Sequence, residues 1–210
     1  MIKAVIFDLD GVIVNTDELH YKAWKKMADT ENISFDQTIN HRLRGVSRME
    51  SLDIILEKSS KTYSRQEKDA LATFKNNVYV ELLKGLSSKD ILDGVVEVIQ
   101  ALKSKNIKVA IGSSSKNTPL ILEYIGIKHL FDAVADGNQV IYSKPAPDVF
   151  LKAADMLKIE PTSCAVVEDA IAGIEAAKRA NMLAIAVSEA RKSPRADYRF
   201  DDIKQILTII

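Results

Sequence analysis

The chain has one cysteine, no excess of charge of either sign and no apolar run long enough to cross a bilayer, and each absence removes a class of answer. A lone Cys164 cannot close an internal disulfide, and its place in the run CAVVE predicts a small buried side chain rather than a reactive thiol. Lysine plus arginine and aspartate plus glutamate number 29 each, so no net field favours nucleic acid or an anionic membrane, and no basic block makes a local exception. The opening MIKAVIFDLDGV has a short apolar stretch and early acids, which is unlike a secretory leader, so the cytoplasm is the expected location. Low-complexity segments are also lacking. What remains, 210 residues with 47% hydrophobic and 28% charged, is the composition of a globular protein with a sizeable core, in one domain or one domain with an insert.

Five short runs rich in Val, Ile and Ala read as strands buried on both faces: Ile2 to Phe7, Ile107 to Ile111, Asp132 to Ala135, Cys164 to Val167 and Leu183 to Val187. Helical patterns alternate with the later ones, over Gly94 to Lys105, Thr118 to Ile125, Asp148 to Lys158 and Ala170 to Asn181. Connections this short between like elements predict right-handed crossovers and an α/β doubly wound parallel sheet, a Rossmann-like core. From about Asn15 to Tyr79 the alternation stops and only helical signals appear. The predicted organisation is a core of residues 1–14 and 84–210 carrying an inserted α-helical cap of residues 15–83, whose two linkers lie at one sheet edge as a hinge. Within the insert, Leu19, Ala23, Trp24 and Met27 mark one helix, and two capping boxes, Ser47 with Glu50 and Ser64 with Glu67, start two more. Their apolar stripes, Leu52, Ile55 and Leu56, then Leu71, Phe74 and Val78, predict a small antiparallel bundle, with Trp24, Met27 and Phe74 in its packing. The segment Ser188 to Asp202 gives no clear pattern, so the last edge of the sheet is open.

Open parallel sheets bind ligands beyond the carboxyl ends of their strands, so the polar residues that follow each apolar run matter most. The first run leads into Asp8-Leu9-Asp10-Gly11, the second into Ser113-Ser114-Ser115-Lys116-Asn117, and the fourth into Glu168-Asp169, while Lys144 stands in the loop before Asp148. Asp8, Asp10, Glu168 and Asp169 are hard oxygen donors of the kind that hold Mg²⁺, and the ion would offset their mutual repulsion. Ser113 with nearby amides, and Lys144 as a point charge, add the parts of phosphoryl transfer, a reaction run mainly by positioning and charge neutralisation. Each piece alone has a plainer meaning: an Asx turn for DLDG, helix caps for Glu168, Asp169 and SSSKN, a solvated Lys144. Arg48, just past the cap Ser47, sits where the helix dipole disfavours a cation, which favours a task in binding an anion.

DLDGV, SSS, SKPAPD and VVEDAIAGI, each after a predicted strand or before the expected helix, resemble the four motifs of the haloacid dehalogenase-like superfamily of aspartyl-phosphate enzymes. HYKAW at 20–24, GVSRMESL at 45–52, KNN at 75–77 and SSSKN at 113–117 are further similar to the sugar phosphomutases of that superfamily, and the resemblance runs to about Val187. It implies that Asp8 is the nucleophile, that Asp10 is the general acid and base with His20 in support, and that Ser113 and Lys144 take the transferring phosphate. It implies a second set for substrate, Gly45, Val46, Arg48, Lys75, Ser115, Lys116 and Asn117, of which Arg48 and the serine loop hold the other phosphate. Mg²⁺ is expected on Asp8, Asp169 and the Asp10 carbonyl, with Glu168 beside it. The implied partners are small sugar phosphates, with no nucleic acid and no membrane, and the implied state is a monomer. The implied reaction interconverts β-glucose 1-phosphate and glucose 6-phosphate through a 1,6-bisphosphate. Asn15 and Ala170 depart from the family's frequent Asp and Ser. An Asp10 with the reference pKa of about 3.9 would be protonated only about once in a thousand at pH 7, a deficit of roughly 4 kcal/mol that an acid catalyst must shrink. Two other readings stay open: a sugar-phosphate phosphatase in which water is the acceptor, and a catalytically silent binding protein on the same scaffold.

Overall fold

The computed structural model describes residues 1–43 and 46–210. Strand β1 (Ala4–Phe7) is followed by four helices in succession, α1 (Asp17–Thr30), α2 (Gln37–His41), α3 (Arg48–Leu56) and α4 (Arg65–Leu83). Alternation then begins: α5 (Val95–Ser104), β2 (Lys108–Gly112), α6 (Thr118–Tyr124), β3 (Ala133–Ala135), α7 (Asp148–Leu157), β4 (Cys164–Glu168), α8 (Ile171–Arg179), β5 (Leu183–Ala186) and β6 (Tyr198–Arg199). The strands form one sheet in the order β3-β2-β1-β4-β5-β6, every pair parallel, with Phe7 registered between Ile111 and Val167. This is the predicted α/β doubly wound architecture with an inserted helical unit. β1 has β2 on one side and β4 on the other, so the order reverses at β1 and a crevice opens beyond its carboxyl end.

The strands read as continuous apolar runs because both faces are covered. Val5, Phe7, Val109, Ile111, Ala165, Val167 and Ile185 pack under α5 and α6 on one face. Ala4, Ile6, Ala110, Cys164, Val166, Ala184 and Ala186 pack under α7 and α8 on the other, where Cys164 is the small buried side chain that its context predicts. The insert has a core of its own, in which Trp24, Met27, Ile33, Phe35, Leu52 and Ile55 meet, and both capping boxes are formed. Chain enters and leaves the insert side by side: Val14 pairs with both Asp10 and Ile91, and the Leu92 N–H donates to the Ile13 carbonyl at 2.9 Å. Among the described residues no helix is long and apolar enough to cross a membrane.

Two expectations change. The unpatterned segment after β5 supplies a sixth strand, β6, two exposed residues long, between short 3₁₀ turns at Ser188–Lys192 and Ile203–Thr208. On α4 the buried face is Ala72, Lys75, Tyr79 and Leu83, one position round from the expected stripe, and Phe74 is 37% exposed rather than packed. The helix turns this way because Lys75 lines a polar cleft and the buried Tyr79 turns its hydroxyl to Thr16, so its inward face is not its most apolar one.

Candidate active site

The cleft between sheet and insert has a volume of about 640 Å³ and is lined by every described candidate: Asp8, Asp10, His20, Val46, Arg48, Lys75, Ser113, Ser115, Lys116, Asn117, Lys144, Glu168 and Asp169. Gly45, also a candidate, lies outside the described residues.

The floor is built at the ends of β1 and β4. Asp8 is buried, and its N–H donates to the Val167 carbonyl at 3.0 Å, which continues the sheet by one residue. Lys144, 2% exposed, places Nζ 2.5 Å from both Asp8 Oδ1 and Glu168 Oε1 and over the Phe150 ring. Burial opposes the ammonium charge, but the two carboxylates outweigh it and hold Lys144 above its ordinary value. The second Glu168 oxygen accepts the Ala170 N–H at 2.8 Å, just before α8, but no side chain caps that helix, and the same Glu168 carboxylate grips Lys144. Two glycines make room here. A Cβ on Gly173 would overlap the Glu168 carboxyl, and Gly11, at φ +77°, has the Asp169 carboxylate where its Cβ would stand.

Asp8, Glu168 and Asp169 bring ligand oxygens within 4.8 Å of one another. Burial, then repulsion from Glu168 and Asp8, pushes Asp169 up to about 9. Three convergent, mostly buried carboxylates with one lysine between them lack positive charge, and their oxygen-only donor set fits a hard divalent cation such as Mg²⁺. The Asp10 carboxylate stands outside this cluster and accepts from Thr16 Oγ1 instead.

Around Asp10 the insert closes. The Tyr79 hydroxyl donates to Thr16 Oγ1 at 2.9 Å, extending a chain of hydroxyls toward the carboxylate. Burial raises Asp10 to about 7; the Thr16 bond works against the rise, and the Asp8 charge adds to it. The deficit expected of an acid catalyst is thereby largely removed at neutral pH. Lys75 Nζ lies 2.8 Å from His20 Nδ1 and over the rings of Trp24 and Tyr79. Burial, with Lys75 and Arg48 nearby, lowers His20 well below its usual value, so its ring is neutral and shares a hydrogen bond with Lys75 at Nδ1. Burial lowers Lys75 as well, reinforced by Arg48. Among the described residues neither Arg48 nor Lys75 forms an ion pair with a carboxylate, although the Asp10 charge favours the Lys75 ammonium.

The remaining wall is the loop after β2. Ser115 N–H donates to Ser113 Oγ at 3.1 Å and Asn117 N–H to Ser115 Oγ at 3.2 Å, which folds the serines into a tight arc. Asn117 Nδ2 reaches across to Asn76 Oδ1 on α4 at 3.0 Å, a direct tie between sheet and insert. Sequence reasoning missed Thr16, Tyr79, Asn40 and Ser51, all buried. Tyr79 had a signal, one helical turn after Lys75. Thr16 looks like an ordinary helix-start residue, and its hydroxyl caps no helix N–H because it serves Asp10.

This crevice of carboxylates at a switch point defines a class, and the chain belongs to the haloacid dehalogenase-like hydrolase family, whose model matches residues 2–181. A β-phosphoglucomutase of Bacillus subtilis is 44% identical over 93% of this chain and 87% of that protein. A crystal structure of a β-phosphoglucomutase from Clostridium difficile superposes with a TM-score of 0.93 at 41% identity, covering 99% of this chain and 96% of that one. A phosphorylated carbohydrates phosphatase of Thermotoga maritima is 32% identical over 86% of this chain and 82% of its own length.

Proposed function

We propose that the chain is a sugar phosphomutase that interconverts β-D-glucose 1-phosphate and D-glucose 6-phosphate through an aspartyl-phosphate and a β-glucose 1,6-bisphosphate, as a cytoplasmic monomer using Mg²⁺. The observation that carries this reading is that one cleft is lined by more anion-binding groups than a single phosphate needs. Lys144 pairs with Asp8, and Ser113, Ser115, Lys116, Asn117 and the half-buried Arg48, which makes no ion pair with a carboxylate among the described residues, line the same cleft; in this reading Arg48 and the serine loop form the second set. A phosphatase needs only the first set. Likeness to the Bacillus subtilis and Clostridium difficile mutases supports the same reading.

In this reading an Asp8 carboxylate oxygen attacks phosphorus, the bond from phosphorus to the sugar oxygen breaks, and Asp10 gives its proton to that oxygen. In the return half Asp10 takes the proton from the attacking sugar hydroxyl as phosphorus leaves Asp8. A carboxyl near 7 is suited to both tasks, because its two forms are similarly populated at neutral pH. Lys144 sets its charge against the oxygens of the transferring group. Asp8 and Asp169, with the Asp10 carbonyl and Glu168 in support, would hold Mg²⁺, which supplies neutralisation of the phosphoryl charge. Tyr79 and Thr16 form a hydroxyl chain that holds the Asp10 carboxyl in place, and Lys75 and His20 pair on the same cleft. Water, at about 55 M, is the competing acceptor, and a sugar hydroxyl held in place has an effective molarity of about 10⁵ M or more, enough to win.

The phosphatase reading keeps a specific support: relatives from Thermotoga maritima and, at 33% identity, Escherichia coli are sugar-phosphate phosphatases. One assay separates the two. With β-glucose 1-phosphate, Mg²⁺ and a trace of the bisphosphate, the mutase reading expects glucose 6-phosphate, and free phosphate as the main product would overturn it.

A further inference from the structure

Behind the serine loop lies a short turn at 136–139 that the chemistry above does not use. Asp136, buried at the end of β3, closes the turn on itself: Oδ1 accepts the Asn138 N–H at 2.8 Å and its carbonyl accepts the Gln139 N–H at 3.0 Å. The strand before it is already tied to the loop, since Ser113 N–H donates to the Ala135 carbonyl at 3.1 Å. From this anchored position the turn holds two successive carbonyls. Gly137 N–H reaches Ser115 O at 3.4 Å, and Asn138 Nδ2 donates to Lys116 O at 2.9 Å. Gly137 lies so close that a Cβ there would overlap the Ser114 carbonyl oxygen and stand 3.2 Å from Lys116 Cγ.

A trans peptide points its N–H opposite to its C=O. Drawing the Ser115 carbonyl toward the turn therefore aims the Lys116 N–H the other way, and that N–H has no partner among the described residues. Lys116 itself is exposed and lines the cleft. The Ser115 carbonyl has a second hold from Thr118 Oγ1 at 2.8 Å, whereas the hold on the Lys116 carbonyl comes from Asn138.

We propose that Asn138, seated by Asp136 and Gly137, is a positioning residue for Lys116. By holding the Lys116 carbonyl it fixes the backbone from which the Lys116 ammonium reaches the non-transferring phosphate, while Gly137 and Thr118 on the Ser115 carbonyl aim the Lys116 N–H, and so it sets the affinity for substrates that carry a second phosphoryl group. The inference rests on the two-phosphate reading of the cleft. Asn138 touches no reacting atom, so its loss changes how well a sugar phosphate is held rather than how fast phosphorus moves.

The test compares Asn138→Ala, which removes the donor, with Asn138→Gln, which keeps an amide donor on a flexible stem. In Asn138→Ala the KM for β-glucose 1-phosphate is expected to rise three- to tenfold, the effect of one hydrogen bond, with kcat within twofold of the parent. Hydrolysis of acetyl phosphate, which has no second phosphate, should be unchanged, and Asn138→Gln should recover most of the KM. As a readout independent of turnover, the Lys116 amide resonance is followed during glucose 6-phosphate titration; its midpoint should move with the KM. An unchanged KM and midpoint, or an equal loss in acetyl phosphate hydrolysis, would overturn the assignment. If the parent only hydrolyses the sugar phosphate, the mutase reading fails by itself, and the KM of that hydrolysis in the two variants still decides the role of Asn138.

Discussion

On the floor of the cleft Lys144 is gripped by two carboxylates, while on the roof Lys75 and Arg48 form no ion pair with a carboxylate among the described residues. The same residue type meets opposite treatment a few elements apart. Lys144 is raised by its neighbours and stays fully charged; Lys75, also 2% exposed, is lowered by burial and by Arg48, and leans on Trp24, Tyr79 and a neutral His20. Cation–π contacts of this kind contribute about 0.5 to 2 kcal/mol, which offsets part of a desolvation cost and not all of it. A satisfied network can hold its shape before any ligand arrives. An unsatisfied one is stabilised by whatever supplies the missing anion, and on the proposed function that division gives the floor to the chemistry and the roof to recognition.

Substitution on each side can break that division. The largest effect is expected on the floor: Asp8→Asn removes the nucleophile and a donor of the metal cluster, so glucose 6-phosphate formation and acetyl phosphate hydrolysis should both vanish, and survival of more than a few per cent of either would exclude Asp8 as nucleophile. Next comes the cation that the carboxylate cluster calls for. Excess chelator should stop turnover and added Mg²⁺ restore it, whereas a rate indifferent to chelator removes the metal from the reaction.

On the roof the losses should be selective. Arg48→Ala is expected to cost transfer roughly ten- to 150-fold, the equivalent of the about 1.5 to 3 kcal/mol of a charge-assisted bond, and to cost acetyl phosphate hydrolysis far less. Equal losses would make Arg48 part of the general fold or chemistry. The smallest effect lies where floor and roof meet. Asp10 is raised to about 7, so its acid form is depleted as pH rises through 7, and a step that needs this acid slows about tenfold per pH unit above that point. Thr16 works against the rise, so Thr16→Val should raise the carboxyl further and shift the alkaline limb of the kcat profile to higher pH, by about one unit or less. A limb that moves down, or does not move, would show that Asp10 is not the group titrating.

The sheet was legible because burial on both faces turns strands into unbroken apolar runs, and the floor because residues at strand ends are brought together by topology alone. β6 left no pattern: Tyr198 and Arg199 are exposed, and the pairing of β6 with β5 is a backbone matter that side chains do not advertise. The face of α4 was misjudged by one position because apolar periodicity assumes that the buried side of a helix is its oily side, and here Lys75 and Tyr79 are turned in toward other polar groups. The hydroxyl relay from Tyr79 through Thr16 to Asp10 spans 63 positions in its first link and exists only once the insert docks on the sheet. Residues of the 136–139 turn read as ordinary turn formers, since support given through backbone carbonyls has no side-chain signature.

Val14 pairs with residues on both sides of the insert, so the chain departs from the sheet and rejoins it at neighbouring points. In polymer terms the roof is a closed loop whose ends are already together. Changing its length costs little closure entropy, about 0.6 kcal/mol for each doubling, and disturbs no strand pairing beneath it. The helical unit is therefore an exchangeable cassette. Another unit grafted between residues 14 and 91 would inherit Asp8, Lys144, Glu168 and Asp169 intact, and would bring its own choice of which molecule may approach them.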